Sequence, residues 1–231
     1  MITVRKSGDR GHADHGWLQS RHTFSFAGYR DPRHIGVGPL LVLNEDRVAP
    51  GQGFPAHAHS DMEILSWVME GALEHTDSMG ISAVIRPGEL QRMSAGTGIR
   101  HSEYNQSKTD AVHFLQIWVK PARAGLPPGY EQKTFGDELE GRFRLLGSQD
   151  GRDDSITIHQ DVNLWGARLH AGQVAELPVA AGRTQWVQVT NGAIQVDEQV
   201  LEAGDGATLT GISALCLKAD AATELLVFDM A

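Results

Sequence analysis

Two short segments, residues 51–59 (GQGFPAHAH) and 96–103 (GTGIRHSE), each carry a pair of metal-type side chains at i, i+2. In an extended strand, alternate side chains point to the same face. His57 and His59 therefore look into one space, and so do His101 and Glu103. Two such strands facing each other gather three imidazoles and one carboxylate around a common point. That donor set suits a divalent transition metal: imidazole favours Zn, Cu, Fe and Ni, and a carboxylate extends the range to Mn. The plain alternative is a pair of surface histidines on one loop and an unrelated glycine turn, with no metal and no pocket.

The glycines beside both pairs fit a larger pattern. The chain has 26 glycines in 231 residues and an ordinary 41% of hydrophobic residues, which points to many turns between short strands. There is length for one large or two medium domains. With 20 Lys+Arg against 29 Asp+Glu, the formal net charge is -9, which argues against nucleic-acid and anionic-membrane partners. Cys216 is the only cysteine, so no intrachain disulfide forms; its apolar setting, ALCL, reads as core packing. No long apolar run follows Met1, so neither a signal peptide nor a transmembrane helix is expected and the chain is placed in the cytoplasm.

Strands are expected at residues 40–43, 64–69, 83–86, 112–119, 155–160 and 225–228, with a turn at Pro87, Gly88 and Glu89. Residues 112–119 (VHFLQIWV) are apolar on both alternating faces, so His113 reads as packed. Only residues 136–144 suggest a helix, and a short one. His12, His15, His22 and His34 share no face of a regular element and read as solvated or hydrogen-bonding side chains. Three prolines and two glycines in residues 121–129 mark a linker, dividing the chain into residues 1–128 and 129–231. A faint repeat joins the halves: WVMEGA then RPGE, against WVQVTNGA then EAGD. The second copy has no histidine at the matching places, so only the first half keeps ligands. Frequent turns and alternating strands predict an all-β sandwich or barrel.

Gly51, His57, His59 and Glu63, followed by Gly98, His101 and Asn105, resemble the two motifs of the cupin superfamily, with the first motif's closing glycine one residue late at Gly71 and Gly96 in place of the usual proline. A narrower resemblance runs over nearly the whole chain: GHADHGWL, HTFSF, HAHSDME and SAGTGIRHSEYN look like the pirin family, close to its bacterial quercetin 2,3-dioxygenase-like members. It implies a bicupin of two stacked jelly-roll β-barrels, an N-terminal metal-binding domain and a degenerate C-terminal one without metal. It also implies His57, His59, His101 and Glu103 as metal ligands. Glu63 is the competing carboxylate, since many cupins use that position; here it is expected to orient a ligand imidazole instead.

Three imidazoles and a carboxylate on a six-coordinate ion leave two positions for a chelating substrate. The resemblance implies an oxidoreductase of flavonoid metabolism, a dioxygenase opening a flavonol such as quercetin with O2 and releasing carbon monoxide. Glu103 would serve as both ligand and catalytic base. The metal is one divalent ion: Fe, Mn, Ni, Cu, Co or Zn. The rival reading is a regulatory or redox-sensing protein acting through protein partners, its metal a structural element. A monomer is expected.

Overall fold

The computed structural model describes residues 1–231, and its only helical pieces are single 3-10 turns at Ser7–Asp9, Gly136–Leu139 and Arg152–Asp154. Everything else regular is strand, and the fold is an all-β bicupin. The short helix expected at residues 136–144 shrinks to the turn Gly136–Leu139, because Gly136 and Gly141 both adopt positive φ.

The chain divides into two compact units. Strand β1 (Ile2–Arg5) belongs to the second. The first unit, Gly11–Gly136 with Ile158–Gln160, holds β2 (Gly11–Asp14), β3 (Leu18–His22), β4 (Leu40–Val48), β5 (Gly53–His59), β6 (Glu63–Glu70), β7 (Leu73–Asp77), β8 (Ser82–Ile85), β9 (Glu89–Ser94), β10 (Ile99–Asn105), β11 (Val112–Val119) and β12 (Gly129–Thr134). They form a seven-stranded sheet, β12-β9-β6-β11-β4-β3-β2, and a four-stranded sheet, β5-β10-β7-β8.

The second unit, Met1–Arg10, Asp137–Thr157 and Asp161–Ala231, adds β13 (Arg144–Ser148), β14 (Ile156–Thr157), β15 (Val162–Leu169), β16 (Val174–Pro178), β17 (Thr184–Asn191), β18 (Ala193–Val196), β19 (Gln199–Glu202), β20 (Gly206–Thr210), β21 (Ala214–Ala219) and β22 (Thr223–Met230). Its sheets are β1-β20-β17-β22-β15-β13-β14 and β16-β21-β18-β19. The order β9-β6-β11-β4 is thus answered by β20-β17-β22-β15, and β5-β10-β7-β8 by β16-β21-β18-β19. The faint sequence repeat is a topological one. Gly71 and Gly192, with φ of 80° and 78°, turn β6 into β7 and β17 into β18 at equivalent places.

Several expectations change. Residues 121–129 are not a free linker: Gly125 N–H donates to Asp61 and Thr97 N–H to the Leu126 carbonyl. Strand β12, just beyond the expected boundary at residue 129, is hydrogen-bonded to β9 of the first unit. Proline composition signals an irregular backbone, but here that backbone is docked. Residues 155–160 do not make one strand; only Ile156–Thr157 pairs, with β13, and Ile158–Gln160 groups with the first unit. Cys216 is exposed. Its neighbours Leu215 and Leu217 take the inward positions of β21, and strand parity turns the thiol out.

Inside the first unit, two apolar clusters form. One includes Leu18, Val48, Val68, Leu73, Val112 and Phe114; the other is Ile64, Met93, Ala95 and Ile99. Along β6, Ser66 falls between Ile64 and Val68; along β10, His101 and Glu103 follow Ile99; along β7, His75 and Asp77 follow Leu73. All five are buried. A polar belt is therefore held between two apolar layers. The equivalent inward positions of β16 and β21, Ala175, Leu177, Leu215 and Leu217, join one continuous apolar core.

The belt depends on close approach of β5 to β10. A Cβ at Gly53 would strike the Glu103 carbonyl and the Tyr104 Cα. Gly53→Ala is expected to cost about 1–3 kcal/mol, as overpacking does, measured by chemical denaturation. A variant as stable as the parent would show that β5 can shift freely.

Candidate metal centre

Strand β10 lies between β5 and β7, and its pairing places the chemistry. His101 is directly opposite His57, and Ile99 opposite His59. On the other side, Glu103 is opposite His75 and His101 opposite Asp77. A register shift between His101 and Glu103 interrupts the β5 pairing there.

The rings of His57, His59 and His101 converge, with centroids 4.7 Å (57–59), 4.5 Å (57–101) and 5.0 Å (59–101) apart. One ring nitrogen from each lies within 4.8 Å of the others. Ligand nitrogens around an ion with bonds of about 2.0–2.1 Å lie roughly 3–4 Å apart, so small ring rotations suffice. A second group overlaps the first: His75, His101 and Glu103 also bring one donor atom each within 4.8 Å. His101 is common to both, and Glu103 enters the cluster from the His75 side.

Polar bookkeeping supports an occupant. His59 Nε2 and both ring nitrogens of His101 are buried without a protein partner. Buried polar atoms are ordinarily satisfied. His57 is already oriented: its Nδ1 lies 2.8 Å from the Pro55 carbonyl, which takes the N–H and leaves Nε2 bare. Burial, with the neighbouring imidazoles adding to it, pushes His101 down to about 3 and His59 to about 4. Both are neutral at pH 7, with lone pairs free. Burial raises the Glu103 carboxyl to about 7. Its oxygens are held apart: Ser66 donates to Oε1 at 3.3 Å and Gln116 Nε2 to Oε2 at 2.9 Å. These residues fit a single divalent ion.

Glu63 is turned elsewhere. Its Oε2 accepts from Ser94 at 3.0 Å and lies 3.1 Å from His159 Nδ1, with Arg92 at 3.9 Å. It makes no hydrogen bond to His57, His59 or His101, so the orienting role expected for it is replaced by a buried contact with Ser94 and His159. His113 is packed on the opposite face of β11, its Nε2 2.9 Å from Glu45.

The centre opens into a cavity of about 550 Å³ whose lining includes His57, Glu103, Asp46 and Gln116 together with the aromatic Phe26, Tyr29, Phe54 and Trp118. His12, His15 and His22 also line it. Their sequence spacing could not show this, because β2 and β3 and the loop after them bring them to one wall through chain reversal. Asp46 on β4 was equally silent in the sequence. It is raised to about 7 by burial, and its Oδ1 has no protein partner.

Residues 3–119 match the Pirin family, and residues 145–230 match the quercetinase C-terminal cupin domain. This chain belongs to the pirin family. Among similar pirins, "Quercetin 2,3-dioxygenase" of Escherichia coli (strain K12) is 46% identical over 230 residues, covering 100% of this chain and 99% of that one. The "Putative quercetin 2,3-dioxygenase PA1210" of Pseudomonas aeruginosa is 42% identical, with 100% of both chains covered. A crystal structure of bacterial pirin YhhW from Escherichia coli in complex with nickel(II) superposes with a TM-score of 0.95 at 45% identity, covering 100% of this chain and 99% of that one. No helix of this pirin is long and apolar enough to cross a membrane.

A pH titration checks the charge of the site. An ion bound by Glu103 needs the carboxylate form, and below about 7 a proton must first leave it. Nickel affinity is expected to weaken as pH falls from 7.5 to 5.5, whereas His59 and His101 stay neutral over that window. In Glu103→Gln that part of the pH dependence should vanish. An unchanged pH profile in the variant would remove Glu103 from the ligand set.

Proposed function

We propose that this pirin is a metal-dependent dioxygenase that cleaves flavonols such as quercetin with O2, holding one divalent ion on His57, His59, His101 and Glu103. The observation that carries the reading is the cavity, whose lining brings His57 and Glu103 together with the aromatic rings of Phe26, Tyr29, Phe54 and Trp118. The names of the relatives and the nickel complex of YhhW support it. When bound, the ion would draw in the 3-hydroxyl and 4-carbonyl of a flavonol and acidify the hydroxyl. The overall reaction balances without another reductant: flavonol plus O2 gives a ring-opened ester plus carbon monoxide.

The chain's own residues supply the rest. Phe26 and Trp118 stand edge to face at 5.5 Å and give a flat ring system its apolar wall. Glu103, with a carboxyl near 7, is suited to take the substrate hydroxyl's proton at neutral pH. Ser66 and Gln116 keep its oxygens aimed. Asp46 Oδ1 and Trp118 Nε1 are buried without protein partners, and both residues line the cavity. A polyhydroxylated substrate would satisfy them. The second unit, with leucine and alanine at the equivalent inward positions, would bind no metal.

Quercetin is expected to be consumed only when metal and O2 are both supplied, followed by absorbance loss and carbon monoxide release. His101→Ala should abolish turnover. Glu103→Gln, which keeps size and an oxygen but loses the base, should lower the rate by roughly 10²-fold or more while retaining part of the metal. Metal-loaded protein that leaves quercetin untouched in air would overturn the activity and favour the regulatory reading.

A further inference from the structure

Asp77 and His75 form a buried pair behind the metal centre, with both side chains 0% exposed. Asp77 is fixed at the end of β7. Its Oδ1 accepts the backbone N–H of Met79 at 2.8 Å and of Ile81 at 3.1 Å, closing the turn into β8. Its Oδ2 lies 3.1 Å from His75 Nε2. A carboxylate only accepts hydrogen bonds, so the proton of a neutral His75 sits on Nε2. That leaves Nδ1 of His75 as a bare lone pair, and it is buried with no protein partner.

The other side of the gap is His101. Its ring centroid is 5.4 Å from that of His75, and both its nitrogens lack partners. One of them is accounted for by an ion; the other must carry the ring proton. A metal-bound imidazole almost always donates that proton to a fixed acceptor. The Glu103 oxygens accept from Ser66 and Gln116 and one of them is assigned to the ion, whereas Nδ1 of His75 is a buried acceptor beside His101 with no donor of its own.

We propose that Asp77 and His75 are positioning residues for the metal: Asp77 holds His75 as the Nε2–H tautomer, and its Nδ1 accepts the N–H of His101. The inference rests on the metal reading above. The chain Asp77–His75–His101 fixes which His101 nitrogen faces the ion and raises its basicity. His75 does so without touching the ion or substrate.

The test begins with metal-free protein carrying nitrogen-15 histidine. NMR should find His75 as the Nε2–H tautomer. Asp77→Asn keeps the Oδ1 that accepts from Met79 and Ile81 but presents an N–H to His75. It should switch His75 to Nδ1–H, set two N–H groups against each other, and weaken nickel binding by about 10–100-fold in a competition titration. His75→Gln, whose side-chain oxygen can replace Nδ1 as acceptor, should recover part of that loss relative to His75→Ala. Finding wild-type His75 as Nδ1–H would overturn the proposal. So would a tautomer switch in Asp77→Asn with nickel affinity unchanged. If Asp77→Asn fails to fold, the wild-type tautomer together with the glutamine–alanine comparison decides. Wild-type protein that takes up no nickel would sink the metal reading instead, with the His75 and His101 proton positions in the metal-free protein still deciding this inference.

Discussion

Three buried imidazole nitrogens, one on His59 and two on His101, have no partner in the protein. Each such group costs about 1–3 kcal/mol when left unsatisfied. These three nitrogens and Nδ1 of His75 lie together at the centre. Apolar clusters flank the belt, and burial drives His59 and His101 neutral. A neutral imidazole is the form that binds metal, so the burial that leaves these nitrogens without protein partners also prepares them as ligands. Glu103 responds in the opposite direction, toward the protonated acid, because burial disfavours charge of either sign.

The two units differ most at the belt. They share a strand order that puts β5 and β10 in correspondence with β16 and β21. Where the first unit has His57, His59, His101 and Glu103, the second has Ala175, Leu177, Leu215 and Leu217 at inward positions of the matching strands. An apolar interior is the ordinary solution for such a barrel. The first unit departs from it along one band, and that band borders the large aromatic-lined cavity. Local departure from a packed core, with the surrounding layers kept, is what a functional site is expected to look like.

Much of this was legible in the sequence because strands alternate with a period of two. That rule places His57 with His59 and His101 with Glu103, and it identifies Val112–Val119 as a buried strand. It was not applied to His75, whose place comes from lying across from Glu103 on a neighbouring strand. The His75–Asp77 pair is itself an i, i+2 pattern, and this was the available clue. His12, His15 and His22 were hidden for a related reason, since chain reversal and not spacing brings them to the cavity. Cys216 went astray by one residue of parity: apolar neighbours imply a core strand, but the alternation decides which of its residues face inward. Composition was least informative at residues 121–129, where prolines specify an irregular path without saying whether it is packed.

The central claim is that a single ion sits between β5 and β10 on His57, His59, His101 and Glu103. Anomalous scattering from crystals grown with nickel measures this directly. The account predicts one strong peak per chain, within about 2.0–2.2 Å of three imidazole nitrogens and one Glu103 oxygen, with His75 just outside the ligand set. A peak coordinated by His75 or Glu63 in place of these ligands, or a second strong peak among Leu177, Leu215 and Leu217, would contradict it.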